Sequence, residues 1–149
     1  MNFLIDYVAA NTMLVTIMCV VWYVLLVVGA WSMFEKAGIA GWKAIIPIYN
    51  FYLLFRIGWQ TTFFWGWLVC SILAGGLSVY SGFAGIFGWV LSIFAAVILA
   101  LMWYYISVSF GHGLLMFLGL YFFTPLFVMI LGLGSSRYSG PAGQAANTI

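Results

Sequence analysis

The sequence predicts an all-α membrane protein of four transmembrane helices, with an interfacial or re-entrant segment in the first loop. Three observations predict it. Of the 149 residues, 67% are hydrophobic and only 4% are charged, whereas soluble domains carry about 25% charged residues. An uncharged run extends from Tyr7 to Phe34, and no Asp, Glu, Lys, Arg or His occurs between Arg56 and His112. The 14 Phe, 9 Tyr and 8 Trp suit a bilayer, whose two interfaces collect amphipathic aromatics.

The first span is predicted over about residues 8–33. A cleaved signal peptide has a basic leading segment, a shorter apolar core and a small-residue cleavage site. Here the flank Met1 to Asp6 carries an acid and no basic side chain, and the run closes on Trp31-Ser32-Met33-Phe34. It reads as an uncleaved membrane helix, because about 20 apolar residues cross a bilayer.

Residues 34–58 form the first loop. The uncharged stretch after Arg56 is too long for one crossing and must turn. The Gly and Ser cluster from Ser78 to Gly85 supplies the turn, giving spans at about 59–80 and 86–109. Phe110-Gly111-His112-Gly113 turns the chain into a fourth span at about 114–133. Thr124-Pro125 lies inside that span and predicts a kink. The four-helix domain thus covers 1–133, and the Gly-, Ser- and Ala-rich tail 134–149 reads as irregular, with Ser136-Arg137-Tyr138 at the membrane surface.

Four crossings place both termini on one side. The first loop holds Lys36, Lys43 and Arg56, and the other side holds only Arg137 among basic side chains. The positive-inside rule then puts the first and third loops in the cytoplasm and both termini outside.

Small residues recur at every fourth position: Gly66, Cys70, Ala74, Ser78 and Gly82 in the second span, Ala84, Gly88, Ser92, Ala96 and Ala100 in the third. Such spacing lets helix backbones approach closely. Either the two stripes face each other across the short turn, or one of them receives a helix from another subunit.

Chemistry has little to work with. Asp6 and Glu35, the two carboxylates, are expected on opposite sides and form no acid–base pair. His112, the single His, sits between glycines in a turn, and a catalytic metal wants about three protein ligands. Cys19 and Cys70 read as small apolar helix residues. Pumps and ion-coupled transporters place ionisable groups within the bilayer, and the predicted spans have none of these except Tyr and Cys. No catalytic residue, metal ligand or cofactor is expected, and a net charge of +2 offers nothing to nucleic acid.

The first loop holds four of the six charged residues. Gly38 and Gly41 break any helix leaving the first span, and Pro47 suits the first turn of a new one. Trp42 and Lys43 fit headgroup depth. Glu35, Lys36, Trp42, Lys43, Tyr49, Asn50 and Arg56 are the candidate lipid or partner surface, its bases worth about 1 kcal/mol each against anionic lipid. The competing reading is that Lys36, Lys43 and Arg56 are only topology anchors.

The run Phe34-Glu35-Lys36-Ala37-Gly38, followed by Gly41-Trp42-Lys43-Ala44-Ile45-Ile46-Pro47-Ile48-Tyr49-Asn50, resembles a family of small bacterial multi-pass membrane proteins of unassigned function. Ser109-Phe110-Gly111-His112-Gly113 resembles its second cytoplasmic turn, where Lys often replaces His112. Leu131-Gly132-Leu133-Gly134 with Tyr138-Ser139-Gly140-Pro141 resembles its closing segment. The resemblance implies a multi-pass protein of the bacterial cytoplasmic (inner) membrane. Some members resemble type I signal peptidase, whose chemistry pairs a Ser nucleophile with a Lys base on a sizeable external domain. This chain has no such domain and places Lys36 and Lys43 inside, so that activity is not carried over.

The expected function is therefore non-enzymatic: an accessory or structural subunit of a larger membrane complex, or a self-associating bundle. Its partners would be the lipid bilayer and other membrane proteins or a second copy. The alternative is a small transporter or lipid-binding protein with a cavity for an uncharged ligand or an anionic headgroup.

Overall fold

The computed structural model describes residues 11–141, and every regular element within them is helical. Asp6, the start of the first predicted span at residues 8–10 and the end of the predicted tail at 142–149 lie outside the described residues. The elements are α1 (Thr12–Lys36), a 3-10 turn (Gly41–Ile45), α2 (Pro47–Gly58), α3 (Thr61–Leu77), α4 (Phe83–Ser109), α5 (Leu114–Phe122) and α6 (Thr124–Leu133). Two of them, α1 and α4, are long and apolar enough to cross a membrane, while α3 and α6 are shorter apolar helices.

Glycine stops both long helices in the same way. Gly38 adopts φ 72° and Gly111 φ 75°, a left-handed geometry that costs glycine little. Beyond each, the chain donates back five residues: Ile39 N–H to the Phe34 carbonyl at 2.8 Å, and His112 N–H to the Ser107 carbonyl at 2.9 Å. Orphan carbonyls at both helix ends are thereby satisfied.

After Gly38 the chain does not stay at the end of α1. Gly41 packs under the Trp31 ring, where any Cβ would collide with the indole. Further on, the Tyr23 hydroxyl donates to the Ile45 carbonyl at 2.7 Å. With a rise of 1.5 Å per residue, Tyr23 lies roughly 20 Å back along α1 from Lys36, so the 3-10 turn descends beside that helix. Pro47 then opens α2 in its first turn, where its missing N–H costs nothing. The helix climbs back until the Gly58 carbonyl accepts from Ser109 Oγ at 3.3 Å, at the end of α4.

The predicted fourth span is not one kinked helix. It breaks at Phe123 (φ −128°, ψ 49°), because Pro125 supplies no amide for a continuous helix yet fits the first turn of a new one. The chain reverses there. The Phe127 ring fills the space over Gly119 and borders a cavity together with His112, Gly113 and Met116. A straight helix from Leu114 would carry residue 134 roughly 30 Å away. Instead Ser139 N–H and Ser139 Oγ both donate to the Ser109 carbonyl, at 2.9 and 3.0 Å, and the Tyr138 hydroxyl donates to the Ile57 carbonyl at 2.9 Å. The segment after α6 therefore shares an end with the first and third loops. This corrects the expectation that the tail emerges opposite those loops.

Returning, α6 packs alongside α1. The contact is backbone against backbone: a Cβ on Gly29 would lie 2.6 Å from Met129 N, and one on Gly132 would strike the Gly29 carbonyl. Across the molecule α3 and α4 form a hairpin that turns at Gly82 (φ 79°). Between these two pairs a core of Met33, Phe34, Leu53, Phe55, Met102, Ile106, Leu120 and Leu131 is fully buried. The first half of α1, from Thr12 to Val24, is exposed at every position.

Candidate functional site

The first-loop residues singled out by sequence do not form one cluster. Glu35 turns back along α1, where Trp31 Nε1 donates to its carboxylate at 2.6 Å. Lys36 Nζ donates to the carbonyls of Leu131 and Gly134 at 2.6 and 2.7 Å. It thus closes the C-terminus of α6, where a cation is favoured by the helix dipole. Both side chains thus hold contacts within the chain.

The remaining members follow α2. Lys43 Nζ sits over the Tyr49 ring, 5.9 Å from its centroid, within reach of a cation–π attraction. Tyr49 stacks on Tyr52 at 5.7 Å. Asn50 is buried, and its amide donates to the Ala44 carbonyl at 3.1 Å, tying the 3-10 turn to α2. Its carbonyl oxygen, Oδ1, has no partner among the described residues. Trp42 is exposed. Arg56 is exposed near the end of α2, and Glu35, the one carboxylate among the described residues, is committed to Trp31.

Two cavities open beside α2 and meet at Tyr52. One, about 590 Å³, is apolar and lined by Ile46, Ile48, Tyr49, Tyr52, Phe64 and Trp65. The other, about 460 Å³, is polar and lined by Tyr52, Arg56, Trp59, Gln60, Thr61, Thr62 and Pro141. Sequence reasoning selected Tyr49 and Arg56 but passed over Tyr52, Trp59, Gln60, Thr61 and Thr62. A signal was present. Ile48, Tyr52 and Arg56 are spaced i, i+4, i+8, which aligns them on one face of a helix.

Tyr138, whose hydroxyl donates to the Ile57 carbonyl, lies beside Arg56. Burial pushes its phenol above the ordinary tyrosine value, while the neighbouring Arg56 guanidinium pulls it down. Among the described residues no group of three or more His, Cys, Asp or Glu could hold a metal ion.

The small-residue stripes divide. On α4, Gly88 is buried against Leu77 and Ser78 of the neighbouring helix end, and Ala74 is buried on α3. Gly66 and Gly82 have open space where a Cβ would be. Ser78, Ser92 and Ala96 are exposed, and Ala84 and Ala100 half-buried. Four residues turn a helix by about 400°, so a strict four-residue repeat wanders off a contact line within three or four steps. The buried positions of α4 instead include Gly88, Ala95, Ile98, Met102 and Ile106.

Residues 42–141, from Trp42 of the 3-10 turn through both cavities to Pro141, match a family of unknown function, DUF5684. The chain belongs to that family. The DUF5684 match takes in the whole of α2 and the Tyr52 cavities and stops short of Glu35 and Lys36. No curated protein and no solved structure matches the chain.

Proposed function

We propose that this DUF5684 chain is an integral membrane protein without catalytic activity, acting as an accessory or structural subunit beside other membrane proteins or a second copy of itself. In this reading α1, α3 and α4 cross the bilayer. The 3-10 turn with α2, and α5 with α6, are two re-entrant segments that enter and leave on one side. The observation that carries the reading is the first half of α1, which exposes Met13, Leu14, Ile17, Met18, Val21 and Trp22 with no covering element among the described residues. A helix apolar on all sides needs lipid or another helix around it.

Charge supports one orientation. Lys36, Arg56 and Arg137 stand at the end shared by the loops and the tail, and Lys43 lies on the turn that dips from it. All four Lys and Arg of the chain thus belong to one side, which the positive-inside rule assigns to the cytoplasm. The N-terminus is then outside and the tail inside. The bacterial inner membrane follows from the first-loop resemblance.

Purification in mild detergent with a mass measurement tests the role. A second polypeptide or a defined number of copies, stable through gel filtration, supports a subunit or a self-associating bundle. A lone chain that retains lipid contradicts it and favours the second reading, a lipid-binding protein. That second reading is favoured by the paired cavities at Tyr52.

A further inference from the structure

The cavities at Tyr52 differ in chemistry, and they are arranged in order along the axis of α2. Ile48, near the start of the helix, borders the apolar cavity. Tyr52, one turn on, borders both. Arg56, a further turn on, borders the polar one. The start of α2 follows a turn tied to Tyr23, deep along α1, and its end is held at the loop face by Ser109 and Tyr138. The apolar cavity is therefore the deep one, and the polar cavity is at the surface. The volumes, about 590 and 460 Å³, fall within the range of small-molecule sites.

The polar cavity is lined by a cation, an indole, an amide, two threonine hydroxyls and the Tyr52 phenol, and by no carboxylate among the described residues. Arg56 makes no ion pair among the described residues, and its planar guanidinium matches a phosphate better than any other side chain. Lys43 covers the Tyr49 ring and borders neither cavity. The apolar cavity is walled by two isoleucines, two tyrosines, Phe64 and Trp65, surfaces that accept hydrocarbon and offer no charge. A ligand that fills both is anionic at one end and hydrocarbon at the other.

We infer that α2 carries a site for one anionic phospholipid, its phosphate beside Arg56 and an acyl chain laid across Tyr52 into the apolar cavity. The inference rests on the membrane reading above and deepens it by naming the ligand class and the residues. Arg56 supplies the charge preference. Tyr52 stands between the two halves, with Tyr49 stacked on one side and Phe64 edge-on at 5.5 Å, so its ring is fixed for a chain to lie against.

The test uses the full chain, reconstituted in vesicles and, separately, in detergent for native mass spectrometry with added phosphatidylglycerol or phosphatidylcholine. One phosphatidylglycerol is expected to remain bound in preference to phosphatidylcholine. Arg56→Gln is expected to weaken that retention about fivefold or more, as one interfacial charge is worth about 1 kcal/mol, with phosphatidylcholine unaffected. Arg56→Lys should restore part of the preference, and Lys36→Gln should leave it intact. Inorganic phosphate at the same concentration should not displace the lipid, because it gains nothing from the apolar cavity. Equal retention of both lipids, a preference that survives Arg56→Gln, or displacement by phosphate alone each overturns the site. Flotation with vesicles after an alkaline wash is read in parallel. A chain that floats but shows no lipid preference refutes only this site, whereas one that does not float refutes the membrane reading as well.

Discussion

Lys36 Nζ donates to the carbonyl of Leu131 at 2.6 Å across 95 positions of sequence. With the second bond to Gly134, this side chain at the end of α1 closes the end of α6 and fixes where the returning segment finishes. Hydrogen bonds to a charged donor are worth about 1.5–3 kcal/mol when buried, and less here, where one of the two is exposed. Lys36→Met should lower stability in detergent by about 1 kcal/mol, measured as a shift in thermal unfolding. It should also speed amide exchange in the last turn of α6. An unchanged midpoint would mean that the ammonium prefers water or lipid phosphate.

Gly132 and Gly66 make opposite predictions from the same residue type. A Cβ at 132 meets the Gly29 carbonyl and lies 3.1 Å from Ser32 Cβ, whereas one at 66 meets nothing within 4 Å. Gly132→Val should cost about 3 kcal/mol or more, because backbone cannot yield as a flexible side chain does. Gly66→Ala should be neutral or stabilising by about 0.5–1 kcal/mol, since Ala is the better helix former. Denaturation of both variants in one detergent decides it. Equal losses would remove the α1–α6 contact from its central place.

Tyr138 predicts a pH dependence. Its folded-state pKa is raised by burial, with Arg56 opposing, so the fold prefers the protonated phenol that donates to Ile57. That contribution is fully present below the unfolded tyrosine value of about 10 and is lost as pH rises through the higher folded value. Tyr138→Phe should be less stable by about 1 kcal/mol at pH 8, and the gap to the unaltered protein should close in strongly alkaline solution. A gap that stays constant as the phenols ionise would contradict the burial of this hydroxyl.

Asn50 is buried with its amide on Ala44 and its carbonyl oxygen unpaired. Asn50→Asp removes the donor to Ala44 and places a second acceptor beside that carbonyl. It should destabilise by at least about 2 kcal/mol at neutral pH, with partial recovery in acid as the carboxyl protonates. Thermal unfolding at two pH values reads this directly.

Sequence logic carried the helix class, the stops at Gly38 and Gly111 and the new helix at Pro47, because each is a local matter of backbone freedom. It failed where distant segments decide. Thr124-Pro125 signals a break, but whether the chain kinks or reverses depends on Lys36 waiting for α6 and on Ser109 waiting for Ser139. Gly29 and Gly132 belong to no regular stripe and reveal their role only across the α1–α6 contact. Regular spacing drew attention to Gly66 and Ser92, which the rotation of a real helix leaves exposed. In the site, charge pointed to Arg56, while Tyr52 carried no mark beyond its spacing from Ile48 and Arg56.

The reversal at Phe123 determines which side the tail occupies, and one labelling experiment tests it. Cys19 and Cys70 are replaced by Ala, and single cysteines are introduced by Ser136→Cys and His112→Cys in separate chains, then exposed to an impermeant thiol reagent in sealed vesicles. A re-entrant α5–α6 pair predicts that both positions react from the same side. Reaction of position 136 from the side opposite to position 112 would restore a fourth crossing and contradict the hairpin.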